Sequence, residues 1–359
     1  MSNQKIRVLI VDDSAAIRQL LSHILSSDPS IEVVGVAADP FFARDKIISL
    51  KPDVLTLDVE MPRMDGLTFL EKLMRGHPMP VVMVSSLTQR GTDITFRALE
   101  LGAVDFFPKP TIDTLNGVEN GAREIIEKVK AAAGARVTRP ATRSESSPSV
   151  VKRSLDTASY RLTHQLIAIG ASTGGTEAIR EVLTALPADS PGIVIVQHMP
   201  PGFTASFADR LDGLCAIRVK EACDGDRVLP GHALIAPGSY HTSVERSGAE
   251  YRVRVRMGEP VNHHRPSVDV LFDSCAEQVS RNTVAAILTG MGDDGARGLQ
   301  RLRGVGARTV AQDEQTCVVF GMPKEAIARG GAEYVLPLPK IARKLYELSM
   351  LSSVANASR

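Results

Sequence analysis

An α/β architecture of two doubly wound domains is predicted for this chain of 359 residues by three observations. Short, continuously apolar runs alternate with amphipathic stretches between residues 5 and 130. A tract rich in Ser, Thr, Arg and Ala follows, without an apolar period. Apolar runs then resume beyond residue 164. Strands that are apolar at every position suit a parallel sheet covered on both faces. Their alternation with helical periods is the pattern of repeated βα units.

The N-terminal runs are Ile6 to Val11, Val33 to Val36, Val54 to Leu57, Val81 to Val84 and Val104 to Phe107. Between the first two, Ile17, Leu20, Leu21, Ile24 and Leu25 form the stripe of a helix packed on a sheet. Residues 1–130 therefore read as a (βα)5 domain and residues 131–163 as a linker. In residues 164–359 the runs Leu166 to Ile169, Ile193 to Val196, Val284 to Leu288 and Tyr334 to Leu336 are separated by helical patterns such as Val268 to Val279 and Ile341 to Leu348. A second doubly wound, mostly parallel α/β domain is expected there. One stretch breaks the pattern: Tyr251, Val253, Val255 and Met257 alternate with Arg252, Arg254 and Arg256. That is the period of a half-exposed antiparallel hairpin, turning near Ser247-Gly248.

Composition excludes several function classes. Lys plus Arg is 42 and Asp plus Glu is 41, so no chain-wide basic surface for nucleic acid or anionic membrane is expected. No run approaches the roughly 18 apolar residues of a membrane span, so no membrane insertion is expected. The start, MSNQKIRVLIVDDSAAI, lacks the features of a signal peptide. Cys215, Cys223, Cys275 and Cys317 match no metal-ligand spacing. They are expected as free thiols of a reducing cytoplasm, packed as small buried hydrophobes.

In an open α/β sheet, function collects at the carboxyl ends of the strands. Asp12 and Asp13 end the first run, Asp58 ends the third, Ser85 ends the fourth, and Lys109 follows the fifth. Carboxylates gathered there repel one another unless a cation joins them, and hard oxygen ligands suit Mg2+. The lysine would clamp an anionic oxygen arriving at Asp58, and the serine hydroxyl would hydrogen-bond it. Singly, each residue has a plain alternative: Asp13-Ser14 reads as a helix N-cap, and an Asp or Lys in a loop as solvated. The motifs VDDS, LDVEMPRMDG, VSS and FPKP resemble those of response-regulator receiver domains, which have the flavodoxin-like fold. The resemblance implies Mg2+-dependent phosphorylation of Asp58 by a partner histidine kinase. By matching positions, Asp12, Asp13, Asp58 and the carbonyl of Glu60 would serve the metal. Ser85, Phe106 and Lys109 would carry the signal.

The second constellation starts where the run Leu166 to Ile169 enters Gly170-Ala171-Ser172-Thr173-Gly174-Gly175-Thr176. A Gly-rich strand-to-helix turn either cradles a phosphate or presents a nucleophilic serine. The dinucleotide fingerprint fails because Ser172 takes the place of its second glycine, and no Gly-Lys-Ser/Thr ending makes a P-loop. The plain alternative is a tight turn in which Ser172 caps the helix. A nucleophile needs a base and an acid to orient it. His198 lies just past the next strand. Asp293 and Asp294 follow the run Val284 to Leu288, and spacing leaves open which one serves, or whether one caps the following helix. His263-His264 reads as a loop pair able to line a cleft.

GASTGGT, IVIVQHMPPGF, APG, HHRPSVD and LTGMGDDG together resemble the catalytic domain of the chemotaxis protein-glutamate methylesterase family. The resemblance implies a triad of Ser172, His198 and Asp294 that hydrolyses glutamate methyl esters, and deamidates certain glutamines, on methyl-accepting chemotaxis receptors. It implies activation by phosphorylation, and no cofactor for the ester hydrolysis itself. The oxyanion is expected on backbone N–H groups after Ser172, with Thr173 as first candidate, and on the Gly290-Met291-Gly292 turn, with Met291 as second. The rival reading is a response regulator whose second domain binds DNA or a nucleotide. A DNA-binding output is usually a short helical module, and a nucleotide module has no use for His198 and Asp294.

Overall fold

Among the described residues, five parallel strands and five helices build the first of two compact units, Met1–Ser144 and Glu145–Arg359, in the computed structural model of the chain. The structure describes residues 5–86, 88–110, 118–137 and 165–357, so most of the expected linker lies outside the described residues. The strands β1 (Ile6–Val11), β2 (Ile31–Ala37), β3 (Val54–Asp58), β4 (Val81–Ser85) and β5 (Asp105–Pro108) stand in the order β2-β1-β3-β4-β5. β3 and β4 are buried along their whole length, as continuously apolar strands require. The helices are α1 (Ala15–Ser26), α2 (Pro40–Leu50), α3 (Gly66–Gly76), α4 (Gln89–Glu100) and α5 (Val118–Ala133).

Local chemistry sets their ends. Ser14 caps α1, its hydroxyl accepting the Ile17 N–H, and Asp39 caps α2 ahead of Pro40. α5 continues to Ala133, past the expected domain boundary at residue 130. Ile125, Val129 and Ala132 keep a buried stripe going at helical spacing, and alanine is the best helix former. β1 pairs with both β2 and β3, so the winding reverses between β1 and β3.

In the second unit, seven strands stand in the order β14-β13-β12-β6-β7-β9-β8, with every pair parallel. They are β6 (Leu166–Ala171), β7 (Gly192–Gln197), β8 (Arg218–Glu221), β9 (His232–Ile235), β12 (Thr283–Ile287), β13 (Arg308–Gln312) and β14 (Tyr334–Leu336). The helices are α6 (Gly175–Thr184), α7 (Phe203–Asp212), α8 (Val268–Gln278), α9 (Ala296–Gly304), α10 (Met322–Ala328) and α11 (Leu338–Ala357). Here the winding reverses between β6 and β12.

The antiparallel hairpin is β10 (His241–Ser247) and β11 (Glu250–Arg256), turning through Gly248 at φ 64°. Thr242, Val244, Tyr251 and Val253 point inward, and Val244, Tyr251 and Val253 join Leu271, Phe272 and Cys275 of α8 in one core. Met257, which the alternation placed on the inward row, lies beyond the end of β11 and is 68 % exposed. All four cysteines are free; Cys275 and Cys317 are buried as expected, whereas Cys215 is half-buried and Cys223 exposed.

Candidate active site

Both winding reversals carry polar clusters at their strand ends, where neighbouring crossovers part and leave a crevice. In the first unit, Asp12 and Asp58 are fully buried at the ends of β1 and β3. Lys109 Nζ reaches 2.7 Å from Asp58 Oδ2 and 3.7 Å from Asp12 Oδ2. One oxygen each of Asp12, Asp13 and Asp58 lies within 4.8 Å of the others. Burial pushes the Asp58 carboxyl up to about 6; Lys109 counters this, while Asp12 adds to it. Asp12 is raised as well, chiefly by burial.

Asp12 Oδ2 is buried without a hydrogen-bond donor. A hard cation with oxygen preference would meet that orphaned atom and relieve the repulsion, so the donor set fits Mg2+. The Glu60 N–H donates to Asp58 Oδ1 at 3.2 Å.

Two of the expected signalling residues face elsewhere. The Ser85 hydroxyl lies 2.7 Å from Thr95 Oγ1 and 3.2 Å from the Gly91 carbonyl oxygen, on the α4 side rather than at Asp58. Phe106 is buried edge-on against Phe96, and Lys128 Nζ of α5 stands 5.0 Å above its ring. Lys128 also bonds the Phe106 carbonyl oxygen at 2.6 Å. Nothing in the sequence pattern singled out Thr95 or Lys128.

In the second unit, three adjacent strand ends converge. Ser172 follows β6; its N–H donates to the Thr289 oxygen beyond β12 at 3.0 Å, and its carbonyl oxygen accepts the Gly175 N–H at 2.7 Å. Gly174, at φ 76°, caps α6, so Ser172 is not the helix cap. A Cβ on Gly290 would fall 2.7 Å from Ser172 Cβ, which is why glycine stands there. His198 follows β7, its N–H donating to the Ala171 oxygen at 3.1 Å.

His198 Nε2 stands 2.8 Å from Asp294 Oδ2, while Nδ1 is buried and has no hydrogen-bond partner. Asp294 is 1 % exposed and accepts further bonds from Asn262 Nδ2, Ser267 Oγ and the Val268 and Asp269 N–H groups, at 2.7 to 3.2 Å. Burial alone would raise this carboxyl. The hydrogen bond and charge of His198, with Asn262 and the Val268 N–H, hold it well below the usual carboxylate range.

Asp293 is exposed and pairs with Arg329 at 2.9 Å, so the structure brings Asp294 and not Asp293 to the imidazole. Neither aspartate caps α9; Gly295 does, at φ 87°. The Met291 N–H has no acceptor among the described residues. Thr173 is buried, and its carbonyl oxygen accepts the Thr289 hydroxyl at 3.0 Å.

The His263-His264 pair, expected as able to line a cleft, joins this cluster, and Asn262 beside it was not singled out by the sequence. Asn262 and His263 both adopt left-handed backbone, at φ 49° and 67°, which is unusual without glycine. The strained turn lets the Asn262 amide bridge Asp294 and the buried Asp269, at 2.8 and 2.9 Å. Burial, with Asp294 nearby, raises the Asp269 carboxyl. His264 stacks on His198, ring centroids 3.7 Å apart and 15° from parallel. Their signal in the sequence was a polar run with two histidines between hairpin and helix, whose partners come from distant strand ends.

Comparisons with known proteins place both units in known families. The CheB methylesterase family model matches residues 167–345, and the response regulator receiver domain model matches residues 8–118. The chain is 58% identical over 352 residues to protein-glutamate methylesterase/protein-glutamine glutaminase 1 of Geobacter metallireducens, covering 96% of each chain. It is 57% identical over 342 residues to protein-glutamate methylesterase/protein-glutamine glutaminase 2 of Pseudomonas aeruginosa, covering 95% of this chain and 96% of that one. The crystal structure of the Thermotoga maritima CheB methylesterase catalytic domain is 44% identical and covers 51% of this chain and 98% of its own, with a TM-score of 0.50. The chain belongs to the CheB family of protein-glutamate methylesterase/protein-glutamine glutaminases, and carries a response regulator receiver domain ahead of its methylesterase domain.

Proposed function

We propose that this chain hydrolyses γ-methyl esters of protein glutamates, and deamidates protein glutamines by the same steps, with Ser172 as nucleophile, His198 as base and Asp294 as the orienting acid. The observation that carries this reading is the buried His198–Asp294 pair at 2.8 Å on the strand end beside Ser172. With Nε2 engaged by Asp294, Nδ1 is the nitrogen that takes the Ser172 proton. Ser172 Oγ attacks the γ-carbonyl, and the oxyanion is received by backbone N–H groups, Met291 and Thr173 being the candidates. His198 returns the proton to the leaving oxygen and methanol departs; from a glutamine, ammonia departs instead. Water, deprotonated by His198, then hydrolyses the acyl-enzyme and regenerates Ser172. Asp294 stays ionised throughout, stabilising the imidazolium.

In the receiver domain, Asp58 accepts a phosphoryl group from a histidine kinase, and that modification raises esterase activity. Asp12, Asp13, Asp58 and the Glu60 carbonyl would hold Mg2+, which when bound neutralises the anionic oxygens gathered at the site. Lys109 pairs with an oxygen of the phosphoryl group, and Ser85 exchanges Thr95 for another. The substrates are methyl-accepting chemotaxis receptors, the process is sensory adaptation, and the setting is the cytoplasm; no described helix is long and apolar enough to cross a membrane.

Methanol release from methylated receptor tests the triad. Ser172→Ala is expected to abolish it, and Asp294→Asn to lower kcat about 1,000-fold or more, by analogy with other serine triads. Asp293→Asn, whose side chain faces Arg329, is expected to stay within about twofold of wild type. Wild-type release by Ser172→Ala, or a larger loss in Asp293→Asn than in Asp294→Asn, would overturn the assignment.

A further inference from the structure

Gln197 is the last residue of β7 and only 4 % exposed. Its side-chain Nε2 donates to two backbone carbonyls, Ser172 at 2.9 Å and its own neighbour His198 at 3.2 Å. The parallel ladder between β6 and β7 ends at the Ala171–Gln197 pair, followed by the His198 N–H bond to the Ala171 oxygen. One residue further on, the Gln197 amide ties the Ser172 and His198 backbones together.

The other end of the amide gains nothing from its position. Oε1 is buried without a hydrogen-bond donor and lies against Gly175, where an added Cβ would come within 2.1 Å of it. A buried amide oxygen left unpaired is costly, so an apolar side chain of equal length would serve packing better. What an apolar chain lacks is a donor able to reach both carbonyls.

We propose that Gln197 is a positioning residue, whose amide holds the Ser172 turn and the His198 loop at the separation that proton transfer and attack require. The inference rests on Ser172 and His198 acting as nucleophile and base. Proton transfer needs the two side chains within hydrogen-bond reach, and an error of about 1 Å in such a geometry costs on the order of 100-fold in rate. The tie acts on main-chain atoms and touches no substrate, so its loss lowers kcat and leaves KM unchanged.

The test uses the full chain, with kcat and KM for methanol release and the rate at which a serine-reactive phosphonate labels Ser172. Gln197→Met keeps the length and removes the donor. It is expected to lower kcat at least tenfold per folded molecule, with KM within twofold, and to slow labelling by the same factor. Gln197→Glu keeps the shape and turns an acceptor toward both carbonyls, and is expected to lose at least as much. Values of kcat within twofold of wild type in the folded variants, or losses that match the unfolded fraction seen by circular dichroism, would overturn the proposal. Ser172→Ala in the same assay separates the two readings. If it still releases methanol the triad itself fails; if it is inactive while both Gln197 variants match wild type, only the positioning role fails.

Discussion

Asp58 and Asp294 are both buried carboxyls at strand ends, yet their environments push them in opposite directions. Asp294 receives five hydrogen bonds and is held below the usual range. Its contribution to stability is fully present above the unfolded pKa and is lost only as pH falls through the native value. Asp58 has one lysine and a second buried carboxylate, and is pushed up to about 6. Between the unfolded value of about 4 and the native value the folded protein binds more protons than the unfolded chain, so Asp58 lowers stability as pH rises across that window. Asp58→Asn is therefore expected to stabilise the receiver unit at pH 7, by up to about 3 kcal/mol for a shift of this size. The advantage should vanish below about pH 4, and added Mg2+ should raise the unfolding temperature of wild type but not of the variant. Calorimetry with and without Mg2+ checks this; an advantage that persists at low pH would rule out carboxylate burial as its cause.

Among the elements, those with continuous apolar runs were legible because a strand covered on both faces needs no polar position. β8, β9 and β13 were not. Their sequences, RVKE, HALI and RTVAQ, are short or mix polar residues into the run, and their strand conformation rests on pairing with neighbouring strands. The approach of α8 to β6 likewise left only a glycine as its trace. A Cβ on Gly170 would fall 2.2 Å from Val268 Cγ1, at the helix end whose N–H groups bind Asp294. Gly170→Ala is expected to cost about 1–3 kcal/mol through overpacking and to lower activity by moving that end. Val268→Ala keeps the backbone donor and should recover part of both losses in the double variant. Additive losses in thermal and kinetic measurements would show that the two residues do not share this contact.

At the scale of the whole molecule, the two sheets place their sites by the same rule, at the strand ends where winding reverses. A small-molecule acyl phosphate that phosphorylates receiver aspartates should raise methanol release by the full-length wild type in the presence of Mg2+. Asp58→Asn should show the basal rate with or without the donor. Equal stimulation of both would refute control through Asp58.

The strands β1 to β7, β12 and β14, and the strand-end placement of Asp12, Asp58, Lys109, Ser172 and His198, could be read from the chain itself, because apolar period, turn chemistry and strand-end position are local properties. Spacing left Asp293 and Asp294 equal, and the family resemblance implied Asp294; the tertiary structure brings that residue to His198, 96 residues from it along the chain. It also seated His264 and Asn262 in the cluster and turned Ser85 toward Thr95. Those choices depend on which strands become neighbours and on how far apart they hold the backbone. No short window of sequence contains that information, because the sheet creates it only when distant segments pair.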